Sequence, residues 1–392
     1  MDGFRFHNLN NLTRVKSEPE MPDFSPIYRN LLRLLRFSLY ELHDRKCSLG
    51  ASLSERQWYK LLEEAEKQTV TGIIFPAISC LPESEMPSVS VLATWLAMSN
   101  RDSRRYHKMS YVISRLSGLF EGNGLHPVLQ KGHAASRFYS NPELRACGDI
   151  DLWFPDDERE KADDIVRKLG CKVVHTPDNG SCYVADSMEV EHHSMLIEVH
   201  NPFHAGFMRE LYRTYPSRRV DIAPAVSIDV PSPMVELLMM NVHILKHCLG
   251  VGIGMRQFCD YAMAWRCLVE SDGGAVDIDE YLDLCRRLGI IRWTRVLHRF
   301  VNRYMPALDG DAVTDMGGDA DDMTVDRIYY LVCEGGNFGK FSHKYRAAHR
   351  KNLVRRKVQT MYSFINNRSF VSRLVPFEAF WTFSRLLLGQ IH

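Results

Sequence analysis

At 392 residues, with 49 basic against 48 acidic side chains and a formal net charge of +1, the chain is long enough for more than one core. It carries no global charge with which to grip nucleic acid. Apolar residues make up 45% and charged ones 25%, proportions that exclude a disordered or fibrous chain. The ten cysteines are dispersed without a CxxC pair, which argues against a zinc ribbon or dithiol redox motif and for reduced core thiols. The opening Met1-Asp2-Gly3-Phe4-Arg5 lacks an apolar signal core, and no uninterrupted 18-residue apolar run occurs; a cytoplasmic protein without a transmembrane segment is expected.

Residues 1–24 are polar, contain Pro19 and Pro22, and read as a loose leader. From 25 to 121 the spacing is helical. Leu31, Leu32, Leu34, Leu35 and Leu39 form one apolar stripe; Trp58, Leu61, Leu62, Ala65 and Val70 form a second; Tyr106 to Phe120 is a third. The character changes at Gly122-Asn123-Gly124. Strand-like runs follow at 126–130, 148–154, 171–175, 181–186 and 189–200 (the last as one or two strands), with a charged helix at about 156–169. That alternation predicts a small α/β domain over 122–232, closed by Pro231 and Pro233. From 233 to 392 helical spacing returns, starting with Val235–Leu249. Asp309 to Asp322 reads as a solvated acidic loop, without the ligand spacing of a calcium loop. Arg346, Arg350, Lys351, Arg355, Arg356 and Lys357 give a basic helical face for RNA or an anionic surface, and 370–389 reads as packed helix.

The chemistry concentrates in the central block. Asp149 and Asp151 sit two apart in an apolar run, so strand periodicity points both carboxylates to one side. Paired carboxylates suit a hard divalent cation and the phosphates it carries. Glu198, an acid inside the apolar run Met195 to Val199, offers a third ligand from a neighbouring strand; burial there without a cation or partner would be costly. Lys131 ends a strand where it can meet phosphate charge. Gly132 permits close backbone approach, and the N–H groups of the helix that follows add to the cradle.

The order Lys131-Gly132, Tyr139, Pro142, Arg145-x-x-x-Asp149-x-Asp151, Glu198-x-His200 resembles the uncharacterised nucleotidyltransferase family of bacteria, within the DNA polymerase beta-like nucleotidyltransferase superfamily. Similar motifs occur in nucleotidyltransferase-type toxins. The resemblance extends to Trp58-x-x-Leu61 and to the stretch Gly252 to Asp260. Cys147 stands where the toxins carry Ser, and His133 replaces the second glycine of their Gly-Gly pair. The resemblance implies an α/β (α+β) fold: a mixed-sheet nucleotidyltransferase core at 122–232 between helical regions. It implies transfer of a nucleotidyl group from a nucleoside triphosphate to an acceptor (protein, RNA or small molecule), with pyrophosphate released. Asp149, Asp151 and Glu198 would bind Mg2+ or Mn2+ and serve catalysis, with Glu198 as proton acceptor. Lys131, Gly132, Arg145 and Arg256 would bind the nucleotide.

Each of these residues has a plainer reading. Arg145 can brace the loop before the DxD strand or pair with Glu198, and Arg256 and Asp260, four apart on a helix, can pair with each other. His200 reads as a satisfied histidine bordering the site. His192-His193 and the pair His243 and His247 lack a zincin motif's glutamate, so zinc is not expected. Two rival functions remain: a DxD glycosyltransferase using a nucleotide sugar, disfavoured by the helical region before the DxD, and a degenerate nucleotide-binding module.

Overall fold

The computed structural model describes residues 25–40, 47–155, 158–250, 252–270, 274–305, 322–337 and 369–388. The leader at 1–24, the basic stretch within 346–357 and the acidic stretch before Asp322 lie outside them. Four helices come first: α1 (Pro26–Tyr40), α2 (Glu55–Lys67), α3 (Thr71–Ser79) and α4 (Val89–Glu121). The start of α2 is fixed by a reciprocal cap. The Ser54 backbone N–H donates to Gln57 Oε1 at 2.8 Å, while Ser54 Oγ accepts from the Gln57 N–H. The third predicted stripe is only the second half of α4, a 33-residue helix some 50 Å long.

The α/β region holds a mixed seven-stranded sheet in the order β3-β4-β5-β2-β1-β7-β6. Its strands are β1 (Val128–Leu129), β2 (Ile150–Trp153), β3 (Val174–His175), β4 (Ser181–Ala185), β5 (Met188–His193), β6 (Arg218–Ala223) and β7 (Val226–Val230). β2 runs parallel to β5, and β1 parallel to β7; the other neighbours are antiparallel. The helices α5 (Lys131–Ala135), α6 (Arg159–Lys168) and α7 (Ala205–Thr214) lie between strands. Sequence periodicity located the first five strands and α6, but not α7 or the β6–β7 hairpin, whose exposed edge strand has too few apolar positions to announce itself. The run 189–200 is a strand only as far as His193; beyond it the chain is irregular.

Period-2 alternation gives the sheet two unlike faces. Ile150, Leu152, Phe154 and Val190 pack with Ile113, Leu116 and Phe120 of α4 and Val166 of α6. The other face carries Asp151, Trp153, Glu191 and His193.

Seven further helices follow: α8 (Pro233–Leu249), α9 (Met255–Trp265), α10 (Ile278–Arg287), α11 (Ile291–Tyr304), α12 (Asp322–Gly335), α13 (Ser369–Leu374) and α14 (Pro376–Leu388). These helices share one apolar core with α1, α2 and α3. Buried Gln68, just past α2, donates to Val332 O of α12 at 2.9 Å and accepts from the Met255 N–H at the same distance. No helix among the described residues is long and apolar enough to cross a membrane. The segment read as packed helix at 370–389 is α13 and α14, with Val371, Val375 and Ala379 in the core.

Candidate active site

The connection from β1 to its antiparallel neighbour β2 brings a lysine against a carboxylate. The Gln130 N–H donates to Asp151 O at 2.9 Å, and the next residue, Lys131, places Nζ 3.6 Å from Asp151 Oδ1. The turn is strained: Lys131 has φ +35°, and Gly132 has φ +41° with ψ −114°, a combination open to glycine alone. A side chain at Gly132 would lie 3.6 Å from Asp149 O and 3.7 Å from Asp151 Oδ2, so this glycine runs beside both aspartates. The expected helix after Gly132 is a five-residue turn broken at Gly132 itself, too short to supply a helix-end field.

Asp151 is held on β2, whereas Asp149 sits one residue before the strand begins. β5 lies parallel to β2 with Glu191 opposite Asp151 and His193 opposite Trp153. His193 Nε2 lies 2.6 Å from Asp151 Oδ1 and 3.6 Å from Glu191 Oε2. Ligand atoms of Asp151, Glu191 and His193 all fall within 4.8 Å of one another. Among the described residues this is the one group of three or more such side chains close enough to share a cation; His243 and His247 do not join it.

Glu198 stands differently from its expected place. It is not on a strand; it lies in the irregular segment after β5, ion-paired to Lys246 of α8, with His193 Nδ1 3.9 Å away. The neighbouring strand's acid is Glu191. Its signal was in the sequence: Met188, Val190 and His192 alternate with Glu189, Glu191 and His193, and the latter set faces the Asp151 side.

The electrostatics fit a site that wants a cation. The charge of Asp151, and then burial, hold the Asp149 carboxyl above its ordinary pKa. Burial and the Asp151 charge push Glu191 up to about 7. Burial also opposes charge on Asp151, but Lys131 and His193 outweigh it and bring the group down to about 2. Glu198 is buried too, yet Lys246 and Lys131 keep it well below the carboxylate range. All four carboxylates act on Lys131, and the two whose pKa rises, Asp149 and Glu191, both feel the Asp151 charge.

Arg145 is engaged with an acid of α9. It is buried, and its guanidinium donates to both carboxylate oxygens of Asp260, with Nε to Oδ1 at 3.0 Å. Tyr139 Oη donates to the same Oδ1 at 2.7 Å. Arg256 and Asp260 form no ion pair; Arg256 Nη1 instead donates to Ala146 O at 2.5 Å, leaving its buried Nε without a partner. From α4, Arg105 donates to Cys147 O at 2.7 Å and to Gly148 O. Three arginines therefore brace the loop that delivers Asp149, and the brace from Arg105 had no sequence signal.

His133, in the place of the second glycine, is buried at 4.4 Å from the Tyr106 ring, with Nε2 2.9 Å from Ser110 Oγ. His200 is satisfied, its Nδ1 3.0 Å from Thr382 Oγ1 and its N–H donating to Glu378 at 2.6 Å. His192 is a core residue, with Nδ1 2.8 Å from Asp163.

A family model described as an uncharacterised nucleotidyltransferase matches residues 54–306. The chain belongs to this family. The nucleotidyltransferase match takes in the whole sheet, the carboxylate cluster, α8 and α9. No curated protein matches the chain.

Proposed function

We propose that this protein is a metal-dependent nucleotidyltransferase. An acceptor nucleophile attacks the α-phosphorus of a nucleoside triphosphate, the bond to the bridging oxygen breaks, and pyrophosphate leaves. The observation that carries this reading is the approach of Asp151, Glu191 and His193 within 4.8 Å, beside Lys131 at 3.6 Å.

The residues fit a divalent cation. The Asp151 charge holds Asp149 up, and burial followed by the Asp151 charge holds Glu191 up; a cation would relieve the repulsion in both. Asp149, Asp151 and Glu191 would hold Mg2+ or Mn2+, hard ions that take oxygen donors. Such an ion, when bound, neutralises phosphate charge and polarises the reacting phosphorus. His193 orients Asp151 through its hydrogen bond. Lys131 meets the triphosphate, and Gly132 lets the backbone come close to it. The acceptor's proton passes to solvent, because Glu191 is committed to the cation and Glu198 is too weak a base while Lys246 is paired with it.

The test is pyrophosphate release with each of the four nucleoside triphosphates, in Mg2+ or Mn2+ and again in EDTA, using cell extract as the source of acceptor. Metal-dependent release accompanied by a nucleotidylated product is expected. Absence of release with all four triphosphates and both metals would overturn the reading.

A further inference from the structure

A cavity of about 730 Å³ opens on the carboxylate-bearing face of the sheet. Its floor is Trp153, two residues beyond Asp151 on β2 and so about 7 Å along the strand. One wall is α7, which contributes Arg209, Tyr212 and Arg213; α14 contributes Arg385. Ser194, Met195 and His200 line both this cavity and a small pocket around His193, Glu198 and Lys246, so the large cavity adjoins the cluster.

Arg209 and Arg213 are exposed on α7, and half-buried Arg385 feels the charge of Glu378 without an ion pair to it. None of the three arginines makes a hydrogen bond or ion pair with another described residue. Arg209 and Arg213 are also four apart on α7, a like-charge spacing that an anion would relieve. A nucleobase and ribose are neutral and would offer the Arg209 and Arg213 guanidinia no counter-charge. A phosphate group, by contrast, suits the planar donors of arginine. The Trp153 and Tyr212 rings, 5.4 Å apart, supply an apolar surface for the rest of the molecule. The volume is that of a small-molecule site.

We infer that this cavity is the acceptor pocket, and that it takes a phosphorylated small molecule whose phosphate is held by Arg209, Arg213 and Arg385. The inference rests on the nucleotidyltransferase reading for the word acceptor, but not for the pocket's ligand.

The experiment is calorimetric titration of the full chain with inorganic phosphate and with ribose 5-phosphate in EDTA, then with each magnesium nucleoside triphosphate. The same titrations are made on the Arg209→Ala/Arg213→Ala double variant and on Arg385→Ala. Ribose 5-phosphate is expected to bind the unaltered chain and to bind the double variant at least tenfold more weakly, while triphosphate affinity changes less than twofold. Absence of binding by both phosphate probes, or equal binding by the double variant, would overturn the pocket assignment. Equal loss of probe and triphosphate would overturn it too, by giving the cavity to the triphosphate. If the probes bind through the arginines but no triphosphate binds, the pocket stands and the transferase reading fails.

Discussion

Arg145 and Asp260, 115 residues apart, clasp each other through two parallel hydrogen bonds in the buried space beneath the loop that precedes β2. The pairing joins the loop before β2 to α9 within the nucleotidyltransferase motif. Arg145→Ala should therefore cost about 3–5 kcal/mol of stability, because it leaves the buried Asp260 carboxylate with Tyr139 as its side-chain hydrogen-bond donor and no ion pair. The Arg145→Ala/Asp260→Ala pair should lose less than the sum of the single losses in denaturant titrations. An Arg145→Ala variant with unaltered stability and weakened triphosphate binding would return the residue to the nucleotide.

Asp149→Asn removes a charge from the proposed metal site and keeps the shape. Transferase activity should fall at least about 100-fold, some 2.7 kcal/mol of transition-state stabilisation. The melting temperature in metal-free buffer should hold or rise, since the Asp151 charge already disfavours ionised Asp149. A folded variant with full activity would contradict the mechanism.

Glu191 and Glu198 can be told apart. Glu191→Gln should weaken Mn2+ binding at least tenfold, read by calorimetry, with little change in stability. Glu198→Gln should instead destabilise the fold by about 1–3 kcal/mol, because Lys246 loses its counter-charge in a partly buried place. The opposite pair of results would make Glu198 the metal ligand and Glu191 a bystander.

His298 offers a stability test away from the site. It lies in the core with Nε2 2.7 Å from Tyr261 Oη, and burial pushes its pKa down to about 3 from an ordinary 6.5. Below pH 6.5 the unfolded chain takes up a proton that the folded chain refuses. Stability therefore falls as pH drops from about 6.5 toward 3, by up to about 1.4 kcal/mol per pH unit for this one residue. His133, at about 3, and His200, at about 4, act in the same direction. Denaturant titrations at pH 4.5 and 6 should show a shallower dependence for His298→Gln; an unchanged slope would mean that the folded chain protonates there as well.

The sequence carried the helical flanks and most of the sheet because burial on one stripe or one face leaves a periodic trace. It also carried the Asp149, Asp151, Lys131 and Gly132 group, whose members lie close in the chain. Glu191 was legible in the alternation of β5, but the apolar run after His193 pointed to Glu198 instead. Packing, not periodicity, ends that strand: Leu196 and Ile197 are buried as irregular chain, with the Ile197 N–H donating to Tyr212 Oη at 3.0 Å. The pairing of Arg145 was hidden for a related reason. Its partner Asp260 stands on α9, and a pairing across 115 residues has no local signature.

The hold of Glu378 on the backbone N–H groups of His200 and Asn201 also sets an order of events during synthesis. The segment that carries Glu198 leaves the ribosome 178 residues ahead of the α14 carboxylate that clamps His200. At about 5–20 residues per second, roughly ten to forty seconds pass between the two. Through that interval the nascent sheet can pair its strands while the Glu198 segment lacks its clamp, and the cavity wall that bears Arg385 has yet to be made. A newly begun chain thus completes its carboxylate face well before it can close the pocket beside it.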